Sequence, residues 1–249
     1  MTEARGPTLG LLGSGEFLPW AEEVDRVLIE AAGSRTDRVL IAPTASAPEG
    51  KDVFERWASM GVGHYRRIGA APEVLPLRGS EEAALPEVVD RLDGAALVFF
   101  SGGNPAYLAG VLRDTPFLEM LLAAVEGGET SLGGCSAGAS VLGVRVPDPR
   151  TRAMSAEIWS DGLGFLPVMI SAHWDTLDRW APGIRRFVLD SVPDGLPHLA
   201  IEEQTAAVGD GLIFRVMGSG EVLVHRSGHP DARHAPGETF SLVKGLEEG

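Results

Sequence analysis

A single cysteine, Cys135, stands among 249 residues, so no intrachain disulfide can form and nothing points to an oxidising compartment. Positive charge is also scarce: 21 Lys and Arg against 35 Asp and Glu give a formal net charge of −14. Nucleic-acid binding needs a basic face for phosphate, and an anionic membrane surface repels such a chain, so neither partner is expected. No uninterrupted apolar run approaches the roughly 18–20 residues of a membrane span. The opening Met1-Thr2-Glu3-Ala4-Arg5-Gly6-Pro7 lacks the basic and apolar regions of a secretory leader. Linkers, internal repeats and low-complexity tracts are missing too. The expectation is a cytoplasmic chain folded as one domain over residues 1–249, for which 44% hydrophobic and 22% charged residues are ordinary values.

Short apolar runs alternate with longer amphipathic segments, the βαβ signature of an α/β fold with a mostly parallel sheet covered by helices on both faces. Strands are predicted over 8–12, 38–42, 73–77, 95–100, 131–134 and 168–171. Helices are predicted over 21–32, 52–60, 81–92 (kinked or restarted at Pro86), from about Ala106, over 117–125 and around 184–189. Residues 43–48 and 146–152 read as loops. Beyond Leu199 the character changes to short strands at 206–208, 212–216 and 221–225 with Gly-rich turns, which predicts antiparallel hairpins on one edge of the sheet.

The chemistry centres on Gly134-Cys135-Ser136-Ala137-Gly138, a G-x-S-x-G run between a predicted strand and a predicted helix. In a nucleophile elbow the serine sits on a tight strand-to-helix turn whose neighbours must be small. The next N–H, that of Ala137, then faces an oxyanion, and the helix N-terminus behind it favours negative charge. Turns at 13–16 and 102–105 also follow strands, and ligands bind at that edge of an open parallel sheet. Gly103 offers either a second oxyanion N–H or an ordinary turn. A serine needs a base, and of six histidines His173 directly follows a predicted strand, on the same sheet edge as Ser136. His64 and His198 read as residues of polar connections. His225, His229 and His234 are spaced loosely like metal ligands, but Arg226, Gly228, Pro230 and Arg233 between them read as a loop, so no metal site is expected.

As a set, these motifs resemble peptidase family S51, which contains dipeptidase E and cyanophycinase, over about residues 9–208. The carriers are Gly13-Ser14-Gly15-Glu16, Phe100-Ser101-Gly102-Gly103-Asn104, Gly134-Cys135-Ser136-Ala137-Gly138-Ala139, Gly162-Leu163-Gly164-Phe165-Leu166-Pro167, the segment ending at His173, and Ile201-Glu202-Glu203-Gln204-Thr205-Ala206. The resemblance implies a class I glutamine amidotransferase-like, flavodoxin-like fold with serine in place of that superfamily's cysteine. It implies Ser136 as nucleophile, His173 as general base, and Gly103 and Ala137 as oxyanion donors, with no cofactor. Cys135 falls one position too early to be the nucleophile and reads as a small packed residue. The homodimer is the assembly such a family suggests.

The family places its acid between nucleophile and histidine, where Asp148 fits best by spacing and Glu157 next; Asp175, two residues after His173, is the third candidate. Dipeptidase E recognises an N-terminal aspartate and cyanophycinase a β-linked aspartyl-arginine, so a short peptide substrate, with an aspartyl or β-aspartyl bond, is implied. Basic groups would hold its carboxylate; Arg179 is the candidate, with Arg185 and Arg186 read equally as exposed helix residues. Asn104 is a further substrate-binding candidate, and Glu16 and Glu203 are candidates for holding a substrate amino group. Two other functions keep the same elbow: a serine esterase or acyltransferase, and a catalytically silent ligand-binding protein.

Overall fold

The structure, a computed structural model, describes residues 8–151 and 154–242. Its strands are β1 (Leu9–Leu12), β2 (Arg38–Ala42), β3 (Ala71–Val74), β4 (Leu97–Phe100), β5 (Ser131–Cys135), β6 (Arg145–Pro147) and β7 (Trp159–Asp161), then β8 (Met169–Ser171), β9 (His198–Ile201), β10 (Thr205–Gly209), β11 (Ile213–Gly218), β12 (Val222–His225), β13 (Ala232–His234) and β14 (Thr239–Ser241). Eight form the central sheet in the order β14-β11-β10-β1-β5-β4-β2-β3. The five strands from β1 to β3 in that order are parallel, and β10, β11 and β14 continue beyond β1 antiparallel.

Burial explains why the inner strands read as unbroken apolar runs. Along β4, Val98 and Phe100 enter one core cluster and Leu97 and Phe99 the other, because successive side chains point to opposite faces. The first cluster is closed by helices Pro105–Leu112 and Pro116–Glu126, the second by helices Ala21–Ala31 and Lys51–Arg67. Both longer faces of the sheet are therefore covered, as the βαβ pattern requires.

Two local expectations shift: residues Thr44–Glu49 form a 3-10 turn rather than an irregular loop, and the third strand starts two residues early and ends at Val74. Of the two alternatives at Pro86 the structure has the restart, with proline at the first position of a new helix. The 146–152 loop begins as β6, which pairs with β7; Arg152 and Ala153 lie outside the described residues, as does Met1–Pro7.

The larger correction concerns β8. It does not join the central sheet but a second sheet, in the order β13-β12-β9-β8. The C-terminal hairpins divide accordingly: β10, β11 and β14 extend the central sheet, while β9, β12 and β13 belong to the second. The turn between β9 and β10 carries the chain from one sheet to the other.

Candidate active site

β5 is buried along its length and ends at Cys135; Ser136 then bends the chain with φ 53° and ψ −111°. Positive φ is uncommon outside glycine and is held only where surroundings dictate it. Here Ser136 N–H donates to the Leu12 carbonyl (3.0 Å), and Ala139 and Ser140 N–H donate to the Ser136 carbonyl (3.1 and 2.9 Å). The flanking glycines are demanded by contact: a Cβ on Gly134 would lie 2.2 Å from the Gly138 carbonyl oxygen, and one on Gly138 2.0 Å from that of Phe100. The helix that follows, Ala137–Ser140, has a single turn, so its dipole adds less than a full helix would. Cys135 is fully buried beneath the elbow; burial, then the nearby Glu16 carboxylate, holds its thiol well above the ordinary range. That is the environment of an inert packed cysteine.

His173 follows β8 with φ 55° and crosses from the second sheet to the elbow. Its Nε2 lies 2.8 Å from Ser136 Oγ, and its Nδ1 lies 3.2 Å from Glu203 Oε1. A carboxylate only accepts, so Nδ1 carries the proton and Nε2 accepts from the serine hydroxyl. Glu203 stands in the β9–β10 turn. Asp175 Oδ1 accepts its backbone N–H (2.9 Å), and the Thr176 hydroxyl reaches Oε1 (3.1 Å). On the far side of that turn Gln204 N–H donates to Ser14 Oγ (3.0 Å), which ties it to the 13–16 loop. The Trp180 ring packs on the imidazole at 4.8 Å between centroids.

The turn after β4 supplies the opposite wall. Glu16, 5% exposed, accepts the Gly102 N–H on Oε1 (2.9 Å), while Asn104 N–H donates to the Ala45 carbonyl (2.8 Å). Between them Gly103 has φ +140°, and a Cβ there would fall 2.3 Å from the Ala45 carbonyl group. Among the described residues, Gly103 N–H and Ala137 N–H donate to no protein acceptor, and both residues line the same cavity as Ser136.

The remaining candidates lie elsewhere. Asp148 is clamped by Arg150 (2.7–3.1 Å), which holds its carboxyl at about 2, and accepts from Asn104 at 3.5 Å; it is not the partner of His173. Glu157 is exposed in a 3-10 turn, and Asp175 acts on the backbone of Glu203 rather than on the imidazole. The carboxylate on Nδ1 is instead Glu203, which sequence reasoning had offered only for a substrate amino group. Asn104 Oδ1 caps helix Pro105–Leu112 by accepting Tyr107 N–H (3.0 Å). Arg179 is exposed and lines no cavity at the site, Arg185 pairs with Asp178 (2.8 Å), and Arg186 pairs with Asp190 (2.8 Å). Glu16 does line a second cavity beside Ser136, of about 340 Å³, though one of its oxygens is committed to Gly102. His64 and His198 are fully buried in a helix and in β9, not in polar connections. His225 bonds Asp231 (2.6 Å), and among the described residues no group of three or more His, Cys, Asp or Glu is arranged to hold a metal ion.

A model of peptidase family S51 matches residues 9–215. A cyanophycinase of Nostoc sp. (strain PCC 7120) is 31% identical over 226 residues, covering 86% of this chain and 72% of its own. A cyanophycinase of Geminocystis herdmanii is 28% identical over 224 residues, covering 86% and 78%. Among solved structures, a peptidase from an acI-B1 Actinobacterium superposes with a TM-score of 0.85 at 33% identity, covering 96% of this chain and 98% of that one. A putative peptidase E from Listeria monocytogenes, 18% identical with a TM-score of 0.57 over 89% of this chain and 98% of its own, shares the fold.

Proposed function

The chain belongs to peptidase family S51, and on that premise we propose that it hydrolyses short peptides through an acyl-enzyme on Ser136, with His173 as general base and Glu203 as the residue that orients it. The observation that carries this reading is the imidazole bridging Ser136 Oγ at 2.8 Å and Glu203 Oε1 at 3.2 Å. Nε2 takes the hydroxyl proton as Oγ attacks the scissile carbonyl, and Glu203 stabilises the imidazolium that forms. Gly103 and Ala137 N–H donate to the tetrahedral oxyanion. Nε2 then protonates the leaving amine, the C–N bond breaks, and a water deprotonated by the same nitrogen attacks the ester to release the acid and restore Ser136.

An aspartyl or β-aspartyl bond, as the resemblance implies, asks for a cation at the site; Arg179, Arg185 and Arg186 line neither cavity. We further propose that the protein acts in the cytoplasm as a homodimer, the assembly the family resemblance suggests. No helix among the described residues is long and apolar enough to cross a membrane. A carboxylate in place on Nδ1 favours turnover over the silent ligand-binding alternative. The test is amine release from short peptides beside hydrolysis of matched acyl esters. Wild type should cleave peptides and Ser136→Ala should not; cleavage of esters alone would move the protein to the esterase or acyltransferase class.

A further inference from the structure

We infer that the cavity beside Ser136 is a specificity pocket for one bulky, uncharged side chain, aromatic or branched aliphatic, next to the scissile bond. This rests on the serine peptidase reading and adds the substrate class to it. The cavity holds about 210 Å³, and one wall is Gly103, Ser136, Ala137 and His173, so whatever fills it sits against the reacting atoms. The other walls are mostly apolar, with Ile158, Trp159, Trp180 and Phe187 prominent and Ser140 and Ser171 among them, and among the described residues none of the lining side chains is Asp, Glu, Lys or Arg. The Trp159 and Phe187 rings stack at 6.2 Å with 11° between planes.

The neighbouring sequence shows that this neutrality is built in. Leu177 and Trp180 line the cavity, while Asp178 and Arg179 between them do not; Ile184, Phe187 and Val188 line it, while Arg185 and Arg186 do not. Leu177 and Trp180 stand three apart on the helix Leu177–Trp180, and Ile184, Phe187 and Val188 stand at i, i+3 and i+4 on the helix Ile184–Asp190, so each short helix turns one apolar face to the cavity and its charges away. Among those charges Arg185 pairs with Asp178 and Arg186 with Asp190, away from the cavity. Pro147 and Pro149 also face in, while Asp148 between them is turned to Arg150. A carboxylate or guanidinium entering this space would shed water and find no opposite charge. A leucyl or phenylalanyl side chain would exchange water for hydrocarbon.

The experiment is a dipeptide matrix in which each position in turn is Ala, Leu, Phe, Asp or Arg. Hydrolysis is read on wild type, and binding by calorimetry on Ser136→Ala. The expected result is a preference of about tenfold or more for Leu or Phe over Ala, Asp and Arg at one of the two positions, in both readouts. Met154→Arg, at an exposed lining residue whose change spares the core, should cut the ratio of Phe to Asp substrates about tenfold. Preference for Asp or Arg, a flat profile, or absence of binding to Ser136→Ala would overturn the pocket assignment. Selective binding of Leu or Phe dipeptides without cleavage by wild type would keep the pocket and overturn the peptidase reading instead.

Discussion

At Ser136 a non-glycine residue is held at φ 53°, and the imidazole that reaches it, His173, is itself held at φ 55°. Two strained residues meeting at 2.8 Å indicate that the contact is imposed by the surrounding fold, not by local preference. The third member is then a matter of which carboxylate reaches Nδ1. Glu203→Gln should lower kcat by about 10²-fold or more with the fold intact, since the amide no longer favours the right tautomer or the imidazolium. Asp148→Asn and Glu157→Gln should stay within about threefold of wild type, and the losses in Ser136→Ala and His173→Ala should not add in the double variant. Steady-state kinetics on the five single variants and the double decides this; equal losses at Asp148 and Glu203 would remove the assignment. Ser136 and His173 were readable because each follows a strand within a local motif. Glu203 was not, because it lies 30 residues from His173 and only the crossing between sheets brings it there.

Among the elements, the inner parallel strands were the most legible, since burial on both faces leaves polar residues only at their first positions, Arg38 in β2 and Ser131 in β5. The helix Lys51–Arg67 outran its expected end at Met60 because Gly61 and Gly63 look like stop signals. Gly61 is there for close packing: a Cβ would come within 3.0 Å of Ile41 and Phe17. That extension of about two turns delivers His64 and Tyr65 to Asp25 on helix Ala21–Ala31, with His64 Nε2 at 2.6 Å and Tyr65 Oη at 3.0 Å from its carboxylate. Burial pushes the Asp25 carboxyl up, and its bonds to His64 and Tyr65 pull against this. Asp25→Ala strands both partners in the core and should cost about 2–4 kcal/mol, read as a fall in the urea midpoint at unchanged slope. A change under about 0.5 kcal/mol would mean that the two helices are joined by apolar packing alone. The division of the C-terminal hairpins between two sheets could not be read locally, because short strands with Gly-rich turns look alike in either.

For the whole molecule, the second sheet carries a buried neutral histidine that limits acid tolerance. His198 is lowered from 6.5 to about 3, by burial first and then by His225, against the opposing pull of Asp231. Its Nε2 meets Ser171 Oγ at 2.9 Å, and its Nδ1 has no partner among the described residues. The unfolded chain therefore takes up a proton below about pH 6.5 that the folded chain refuses until about pH 3. Stability is full above pH 6.5 and declines as the pH falls toward 3, by up to about 1.4 kcal/mol per unit from this group. Urea unfolding of wild type and His198→Gln between pH 7 and 4 should show a shallower decline in the variant; parallel curves would contradict the shift. Asp148, held low by Arg150, adds its own loss only below its ordinary range, so the two are separable by pH.

Because β8 belongs to one sheet and β5 to another, the active site depends on the two sheets holding their relative position. Covalent labelling with a fluorophosphonate probe, mapped by mass spectrometry, tests that assembly most directly. One probe per chain on Ser136 is predicted, absent in Ser136→Ala and greatly slowed in both His173→Ala and Glu203→Gln. A folded wild-type protein that leaves Ser136 unlabelled, or one labelled equally fast without His173, would contradict it.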